Sequence, residues 1–478
     1  MSGADAGPDG AARGRGREPS DGDAALQRVA LTAAATAGFL TPFMGSAVNI
    51  SLPAIGAELH MNAVALGWVT GAFLLGAGVF LLPFGRLADI HGRKRFFVAG
   101  MLLFTLTSIL CALAPSGAAL IAARLLEGVG GALVFGTGTA ILTSVFPPHR
   151  LGRALGIQVA AVYLGLSLGP FLGGVLTEHF GWRSIYLFAA PIAFAAGTLT
   201  ALRLRGEWAG ASGERFEGVG AALYAGALIA LMVGLSRLPA RSGALLTGLG
   251  AVGLGVFTAW EARTPQPLLD PRLFRENAVF AFSNLAALIS YSATFGVPFL
   301  LSLYLQYVRG MGPEAAGSLL VAQPIVQAIL SPAAGRLSEW VEPRVLASGG
   351  MALTAAGLLL LTGLSPVTST AHLVLVLALL GTGFALFSSP NTTAIMSSVA
   401  PRLYGVASGV LGTMRLLGQM LSMAAVLLIF SLLIGATRIT PELHPAFLHA
   451  ARLAFGIFAA LCALGVVASL KRGRVRPG

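Results

Sequence analysis

The sequence predicts an all-α membrane protein with fourteen transmembrane helices, and three observations support this fold class. Of its 478 residues, 56% are hydrophobic and only 10% are charged, which leaves too little polar surface for a water-soluble globule. Apolar runs of about 20 residues, the length that crosses a bilayer, recur along the whole chain. The basic residues fall mostly between these runs, as loops on one side of a membrane require.

The helices are placed by the apolar runs, and the chain ends are read as tails. Residues 1–27 are rich in Gly, Asp and Arg and predict a disordered cytoplasmic tail. Residues 471–478 form a second short tail. The fourteen predicted helices lie near residues 28–57, 64–84, 95–114, 117–146, 151–177, 184–203, 216–235, 243–261, 277–308, 313–334, 344–363, 370–396, 404–433 and 447–470.

The distribution of basic residues predicts that both termini are cytoplasmic. The segments expected on that side contain 23 of the 31 Lys and Arg residues, which fits the positive-inside rule. The net charge of +12 forms no basic helix or aromatic-lined patch, so no nucleic-acid partner is expected. Cys111 and Cys462 lie inside apolar runs, so neither a disulfide framework nor a zinc site is indicated, and no metal or cofactor is expected.

An internal repeat predicts two related halves. The stretch Gly-Arg-Leu-Ala-Asp at residues 85–89 recurs as Gly-Arg-Leu-Ser-Glu at 335–339, each at the cytoplasmic exit of the second helix of its half. We therefore predict six-helix bundles at 28–203 and 277–470, joined by a linker, 204–276, that carries two extra helices. Duplicated bundles around a midplane site are typical of secondary transporters.

Several motifs carry a resemblance to a known family. Residues 85–95 resemble the G-x-L-a-D-r-x-G-r-[rk] signature of the major facilitator superfamily, and the fourteen-helix layout resembles its drug:proton antiporter branch. Residues 124–131 are similar to the R-x-x-Q-G-x-G-a element of the family, and residues 165–174 resemble its g-x-x-x-G-P-x-x-G-G antiporter signature. The resemblance implies a major facilitator fold and a small-molecule exporter of the bacterial inner membrane.

The repeated turn has two interpretations. Its charges either set topology alone or form a conformational gate, because the resemblance implies that the acid at Asp89 joins the two halves when the cavity opens outward. An anion there can face the N-terminus of the thirteenth helix, near Tyr404. The candidate gate residues are Gly85, Asp89, Gly92, Arg93, Gly335 and Glu339.

A glycine stripe in the fifth helix also has two interpretations. Glycines every four residues let a neighbouring helix pack backbone to backbone, and a proline among them removes one helix hydrogen bond. The stripe is either a tight packing surface or, as the resemblance implies, an antiporter hinge. Its residues are Gly165, Gly169, Pro170, Gly173 and Gly174.

Glu127 is the one acid that the sequence places deep within a helix, and Arg124 lies three residues earlier on the same face. Charges at such depth are costly and usually functional. The resemblance implies a Gln at this position and an acid in helix 1, at the place of Met44 here, so Glu127 departs from the family pattern. We hypothesise that Glu127, tuned by Arg124, carries protons; a static ion pair is the alternative.

The substrate cavity is predicted from polar and aromatic side chains within helices, which tend to face a protein interior. Arg415 has no acid in its own half, so either it binds an anionic or amphiphilic substrate or it bonds to carbonyls. The cavity candidates are Ser46, Asn49, Trp68, Gln158, Tyr163, Asn284, Tyr291, Gln323, Gln327, Asn391, Arg415 and Gln419.

The sequence favours a proton-coupled exporter of hydrophobic or amphiphilic molecules, with lipid, substrate and protons as partners and a monomeric state. A carrier for a lipid or one metabolite, possibly an anion, is the alternative on the same scaffold. A membrane enzyme or scaffold is disfavoured, because the chain has no nucleotide-binding loop, metal-ligand cluster or large soluble domain.

Overall fold

A computed structural model describes residues 21–400, 404–435 and 437–473. Within these ranges fourteen helices are long and apolar enough to cross a membrane, which confirms the predicted number. In chain order, spans 1 to 14 are Asp21–Glu58, Ala63–His91, Arg93–Ala112, Gly117–Val145, Pro148–Phe180, Arg183–Arg203, Gly218–Arg237, Arg241–Glu261, Ala278–Val308, Pro313–Leu337, Pro343–Leu361, Thr370–Ser397, Tyr404–Leu433 and His444–Lys471.

Two spans are interrupted where the sequence predicted continuous helices. Span 9 consists of Ala278–Thr294 and Gly296–Leu303, followed by a π-helical turn at Tyr304–Val308. Span 10 consists of Pro313–Leu320 and Ala322–Leu337. Outside the spans, a short helix, Arg272–Glu276, precedes span 9, and a 3₁₀ turn, Pro441–Leu443, precedes span 14.

Local sequence explains why several spans begin where they do. Asn62 and Ser116 accept a hydrogen bond from the backbone N–H three residues later, at 2.8 Å and 3.3 Å, and so cap spans 2 and 4. Ser369 caps span 12 in the same way. Gly92 separates spans 2 and 3 with a φ of +121°, a conformation that L side chains rarely adopt.

Two expectations about the chain ends are wrong. The predicted disordered tail ends too late, because span 1 already begins at Asp21 and Leu26 packs against the core; residues 1–20 lie outside the described ranges. The second predicted tail begins too early, because Arg472 is fully buried. The hydrophobic pattern therefore marked the apolar centre of these spans and not their polar ends.

The six spans on each side of the linker pack in the same way. Span 1 packs against spans 5 and 6, span 2 against span 4, and span 3 against spans 4 and 6. Each of these pairings recurs among spans 9 to 14 with the span numbers raised by eight. We refer to spans 1–6 as the first half and spans 9–14 as the second half.

Spans 7 and 8 pack against each other beside the junction of the two halves. Span 7 contacts span 2 of the first half and span 13 of the second. The Tyr224 hydroxyl donates to the carbonyl of Gly78 at 3.1 Å, and the Ser431 hydroxyl of span 13 donates to the carbonyl of Leu238. The inserted pair therefore bridges one edge of the junction.

The loops divide into two faces. The tail face holds both ends of the described chain and the loops at 92, 146–147, 204–217, 262–277 and 338–342. The far face holds the loops at 59–62, 113–116, 181–182, 238–240, 309–312 and 362–369. An even number of spans places both chain ends on the same face.

Candidate functional site

Spans 1 and 9 are joined across the two halves near the far face. Pro53 has no N–H, so the carbonyl of Asn49, one turn earlier, loses its intrahelical partner. The hydroxyl of Ser302, in the other half, donates to this carbonyl at 2.7 Å. Gln306 Nε2 donates to the Ile50 carbonyl at 2.8 Å and to Ser302 Oγ at 3.1 Å. We call Asn49, Ile50, Ser302 and Gln306 the far-face latch.

Two local features hold the latch in place. The π-helical turn Tyr304–Val308 widens span 9 where Gln306 reaches span 1, and such turns occur frequently at functional sites. On the opposite side, the Asn49 amide oxygen accepts a hydrogen bond from Thr70 of span 2 at 2.9 Å. Asn49 was predicted to line the cavity. Its side chain instead ties spans 1 and 2 together, while its backbone joins the halves.

Spans 5 and 10 form a second junction at the far face. The Glu178 carboxylate accepts the backbone N–H of Glu314 at 2.9 Å, at the N-terminal end of span 10, where a negative charge is stabilised. His179 Nε2 lies 3.0 Å from the Glu314 carboxylate. A Cβ added at Gly174 would lie 2.5 Å from the Pro313 carbonyl oxygen, so the two backbones are in close contact.

The predicted glycine stripe packs span 5 against span 1. Added Cβ atoms at Gly165 and Gly169 would collide with the Phe39 carbonyl and with Ser46, respectively. One at Gly173 would lie 2.7 Å from the Ala47 Cα. Ser46, a cavity candidate, therefore lies between spans 1 and 5, where its hydroxyl donates to the Pro42 carbonyl.

The glycine motif of span 5 thus has two packing partners. Its first three glycines hold span 1 within the first half. Gly174 and Pro170 contact span 10 of the second half, where the Pro170 carbonyl oxygen lies against Gly317. The motif is therefore a packing surface that also forms part of the junction between the halves; its movement as a hinge stays a prediction.

Halfway through the bundle, side chains of the two halves contact each other between spans 5 and 10 and among spans 4, 9 and 13. We call this region between the halves the central gap. Ser331 of span 10 donates to the Tyr163 hydroxyl of span 5 at 3.2 Å. Gln158 Nε2 donates to Thr139 Oγ1 at 3.1 Å. The structure therefore brings Tyr163 and Gln158, both predicted cavity residues, to this level.

Arg415 of span 13 reaches across the gap. Its guanidinium lies 5.9 Å from the ring centroid of Phe135, on span 4, and 5.4 Å from that of Tyr291, on span 9. Both contacts are within cation–π range. The sequence identified Arg415 and Tyr291 but not Phe135 and Ser331, because a single Phe or Ser in an apolar helix carries no signal of its own.

Two cavity candidates lie inside the second half and not in the gap. Asn284 is fully buried and donates to the carbonyl of Phe280 in its own helix at 2.9 Å. Asn391 donates to the carbonyl of Ser283 at 3.1 Å and accepts from Arg472 at 3.0 Å. In this conformation both amides bond within the second half, and Asn284 Oδ1 has no hydrogen-bond partner. Their role in a substrate cavity stays a prediction.

Arg472 was missed because it follows the last predicted helix. Its guanidinium also lies 3.4 Å from Ser283 Oγ, and burial lowers the pKa of Arg472 to about 10.

Four further cavity candidates lie within the spans, and their role in substrate binding stays a prediction. Trp68 and Gln323 are half-buried, and Gln327 and Gln419 are buried.

Glu127 and Arg124 form the predicted ion pair, with Arg124 Nη1 2.6 Å from Glu127 Oε2. Both side chains are buried. Ser108 of span 3 donates to Glu127 Oε1 at 2.9 Å, and Arg124 Nε donates to the Val69 carbonyl of span 2 at 3.1 Å. The pair therefore lies among spans 2, 3 and 4, inside the first half. In this conformation Glu127 is fully buried, and its role as a proton carrier stays a prediction.

The signature turn between spans 2 and 3 is braced by the first half and by the linker. Asp89 Oδ1 accepts from Arg93 Nε at 2.8 Å, and Arg93 Nη1 donates to Ser144 of span 4 at 2.8 Å. The Asp89 carbonyl accepts the backbone N–H of Ala211 at 2.9 Å. In this conformation Asp89 therefore pairs with Arg93. Its contact with the second half in an outward-open conformation stays a prediction.

The linker 204–217 supplies carboxylates to the cations of this turn. Glu214 pairs with Arg86. Glu207 accepts the Lys94 backbone N–H at 2.7 Å and lies 3.5 Å from Arg95 Nε. A Cβ at Gly92 would collide with the Glu207 side chain, which explains why a glycine fits there.

The repeated turn in the second half is more open. Glu339 is exposed, and its backbone N–H bonds to the Arg336 carbonyl. A Cβ at Gly335 would lie 2.9 Å from Ser389 Oγ. The two turns share a sequence pattern but not a bracing linker.

An apolar cavity of about 420 Å³ opens between spans 9 and 13 near the short helix. It is lined by Phe274, Ala281, Phe282, Leu285, Leu288 and Met414. Leu288 is one helical turn from Tyr291, and Met414 adjoins Arg415. The cavity therefore lies on the two spans that carry Arg415 and Tyr291.

Two similarly packed six-span halves, joined near one face and in contact at mid-depth, are typical of membrane transporters. The family model of the Major Facilitator Superfamily matches residues 34–423. The chain belongs to this superfamily, so the interpretation as a membrane transporter and not an enzyme is confirmed.

Relatives and solved structures agree with this assignment. The chain is 28% identical to the riboflavin transporter RibZ of Clostridioides difficile (strain 630), over 90% of this chain and 94% of RibZ. It is 35% identical to the cephamycin export protein CmcT of Amycolatopsis lactamdurans, over 83% of this chain and 84% of CmcT. A crystal structure of a bacterial homologue of the human lysosomal transporter Spinster, inward-facing and unoccupied, has a TM-score of 0.70 at 17% identity and covers 95% of this chain and 98% of that one.

We expect Gly173→Leu to lower the stability of the folded chain. The new side chain would overlap span 1, and overpacking typically costs about 1–3 kcal/mol. Gly156→Leu is the matched control in the same helix, because no atom lies within 4 Å of a Cβ there. Thermal unfolding midpoints of the purified variants, followed by size-exclusion chromatography, test this; equal midpoints would contradict the packing role.

The double variant Ser302→Ala/Gln306→Leu should open the far face more often. Each lost hydrogen bond is worth about 0.5–1.5 kcal/mol, so we expect the open population to rise by about tenfold or more. Distances between spin labels at Phe180 and Val367, exposed on the far face of the two halves, measure this.

Ser292→Ala is the control for the latch variant. Its hydroxyl donates within span 9, to the Leu288 carbonyl at 2.7 Å, so the label distances should match those of the wild type. A double variant with an unchanged distance distribution would show that the latch does not hold the halves together.

Glu207→Gln/Glu214→Gln should loosen the linker from the signature turn. Partly exposed ion pairs are worth about 0.2–1 kcal/mol each, so we expect tryptic cleavage at Arg205 and Arg215 to accelerate by about two- to tenfold. Glu339→Gln, at the exposed turn of the second half, is the control. Identical cleavage rates in all three proteins would show that the carboxylates do not fasten the linker.

Proposed function

We propose that this chain exports hydrophobic or amphiphilic small molecules across the bacterial inner membrane by alternating access. The observation that carries the proposal is the arrangement of contacts between the halves. The far-face latch and the hydrogen bonds between spans 5 and 10 join the two halves near the far face. Arg415 and Tyr163 lie deeper in the bundle, on the tail-face side of these contacts. The export activity in the name of CmcT supports the direction of transport.

The membrane orientation follows from the charges. Most Lys and Arg residues belong to the tail-face loops and the two ends of the sequence, which favours a cytoplasmic tail face with both termini inside. With this orientation the closed far face is the outer side. The described conformation would then be one that receives a molecule from the cytoplasm, as an exporter requires.

Switching to the outward conformation requires the far-face contacts to separate. Ser302 must release the Asn49 carbonyl, and the Glu178 cap must leave span 10. These few hydrogen bonds are each worth about 1 kcal/mol, so binding energy of ordinary size can shift the equilibrium between conformations. Asp89 would then be free to meet the second half at the tail face.

The chemical class of the substrate is inferred from the walls of the gap and the cavity. The 420 Å³ cavity on spans 9 and 13 is lined by apolar side chains, which suits a hydrophobic portion. Arg415, which adjoins Met414 of the cavity lining, would supply charge, and Tyr163 and Gln158 would supply hydrogen bonds from span 5 of the first half. Mostly apolar walls with a few polar groups are common in small-molecule sites.

We also propose that a proton gradient drives export, with Glu127 as the proton carrier. Its position near the middle of span 4 supports this, because a buried carboxylate there is costly unless it has a function. In the described conformation a proton reaches Glu127 only if spans 2, 3 and 4 separate around it. The alternative is that Glu127 and Arg124 form a purely structural ion pair. In that case, removing the acid would not change the coupling of transport to the proton gradient.

The second candidate is a carrier for one metabolite on the same scaffold. The riboflavin named in the RibZ relative favours it, because that protein aligns over 90% of this chain. Both candidates need only one polypeptide, since the two halves already enclose the gap, so we propose a monomer.

We expect purified protein in liposomes to move compounds against their gradients when a pH gradient is imposed. A panel of neutral, anionic and cationic aromatic compounds separates the candidates. Transport of several classes supports the exporter, and transport of one compound alone supports the specific carrier. Failure to transport any of them would contradict the proposed function.

Glu127→Gln should abolish the response of transport to the pH gradient while downhill exchange of the substrate continues. The amide keeps the shape and accepts from Ser108 but cannot exchange a proton. Glu276→Gln, in the short helix before span 9, is the control and should respond as the wild type does. Full pH-driven transport by Glu127→Gln would assign the pair a structural role only.

A further inference from the structure

Arg415 is a cation in the middle of the membrane whose charge is not matched by the protein. It is the twelfth residue of span 13, so it lies about 16 Å from the tail-face end of that helix at 1.5 Å per residue. Its contacts are the rings of Phe135 and Tyr291. Within the described ranges, no carboxylate lies within 4 Å of the guanidinium and no protein acceptor takes its N–H groups.

Two other cations in the bundle are paired with carboxylates. Arg124 pairs with Glu127 at 2.6 Å, and Arg93 pairs with Asp89 at 2.8 Å. Arg472, just beyond the tail-face end of span 14, donates to the neutral amide of Asn391, and its Nε and Nη2 have no hydrogen-bond partner. Arg415 differs from the two paired cations because no carboxylate contacts it at mid-depth.

The two rings hold the guanidinium and leave its donors available. Phe135 belongs to the first half and Tyr291 to the second, so the cation lies where both halves can contact one molecule. An arginine offers five N–H donors in a planar fork that matches a carboxylate. Contacts to ring faces stabilise the charge but do not accept these in-plane hydrogen bonds.

The polar groups near the same level are neutral. Tyr163 and Ser331 form one hydrogen-bonded pair across the halves, and Thr139 and Gln158 form another between spans 4 and 5. Thr139 is one turn from Phe135 along span 4. These groups can bind neutral polar atoms of a molecule but cannot balance a positive charge on it.

We propose that Arg415 is the anion-recognising residue of the transport site and that the molecules carried include aromatic or amphiphilic carboxylates. The proposal rests on the proposed transport function and names the substrate class of that same site. The carboxylate would take the N–H fork of Arg415, and its apolar portion would contact the rings of Phe135 and Tyr291. The arginine-rich loops of the tail face would raise the local concentration of anions at the entrance.

The test compares 2-naphthoate with 2-naphthamide, which share a ring system and differ in charge. Binding to purified full-length protein is measured by isothermal titration calorimetry. We expect the wild type to bind the carboxylate about tenfold more tightly than the amide, since a charge-assisted bidentate pair is roughly twice as strong as a neutral hydrogen bond. Arg415→Gln should remove this preference and leave amide affinity within about twofold.

Two further variants control for folding and for charge in general. Arg415→Lys keeps the charge without the planar fork and should retain part of the preference. Arg452→Gln removes an exposed cation of span 14 that bonds to the Leu364 carbonyl at the far face. This variant should keep the full preference for the carboxylate over the amide. Each variant is first compared with the wild type by size-exclusion chromatography.

Efflux of both compounds from proteoliposomes separates the anion site from the transport function. Efflux by Arg415→Gln with an unchanged preference for the carboxylate would overturn the proposed anion site. Efflux by the wild type with no preference would do the same, and in both cases the proposed transport function would stand. Loss of the preference in Arg415→Gln, with amide efflux retained, would support it. Absence of both binding and efflux in the wild type would count against the site and the transport function together.

Discussion

A carbonyl released inside a membrane has no water to bond to, and this constraint organises the junction of the two halves. Pro53 releases the Asn49 carbonyl, which takes a hydroxyl from Ser302 of the opposite half. The partner of a broken helix bond is therefore supplied by the other half and not by the same helix. A local defect in span 1 becomes a contact between halves that can be made in one conformation and exchanged in another.

Close backbone packing has the complementary role of keeping each half intact. Glycines of span 5 bring it against span 1, and Gly128 brings span 4 against the Phe73 carbonyl of span 2. Such contacts depend on shape and not on a polar partner, so they persist while the halves move as units. The buried Arg124–Glu127 pair adds a polar tie among spans 2, 3 and 4, and the bonds that must change lie mainly between the halves.

The number of spans could be read from hydropathy because a bilayer sets the length of an apolar run. The pairing of Arg124 with Glu127 followed from their three-residue spacing on a helix. The spacing did not predict the direction in which the pair points, because this direction depends on how span 4 is rotated against its neighbours. Asn284 and Asn391 show the same limit, since a polar side chain in a span can serve a bundle interior as well as a gap. The contacts of residues 204–217 with the signature turn join distant segments that no local pattern connects.

The bracing of that turn by the linker has a consequence for the architecture. Spans 7 and 8 are an insertion relative to the two six-span halves, yet the segment that leads into them neutralises Arg86 and Arg95 and covers Gly92. Excising the inserted pair to make a twelve-span chain would therefore strip counter-charges from the first half if residues 204–217 left with it. A minimal deletion would keep that segment and rejoin the chain after it, because its contacts belong to the first half and not to the extra helices.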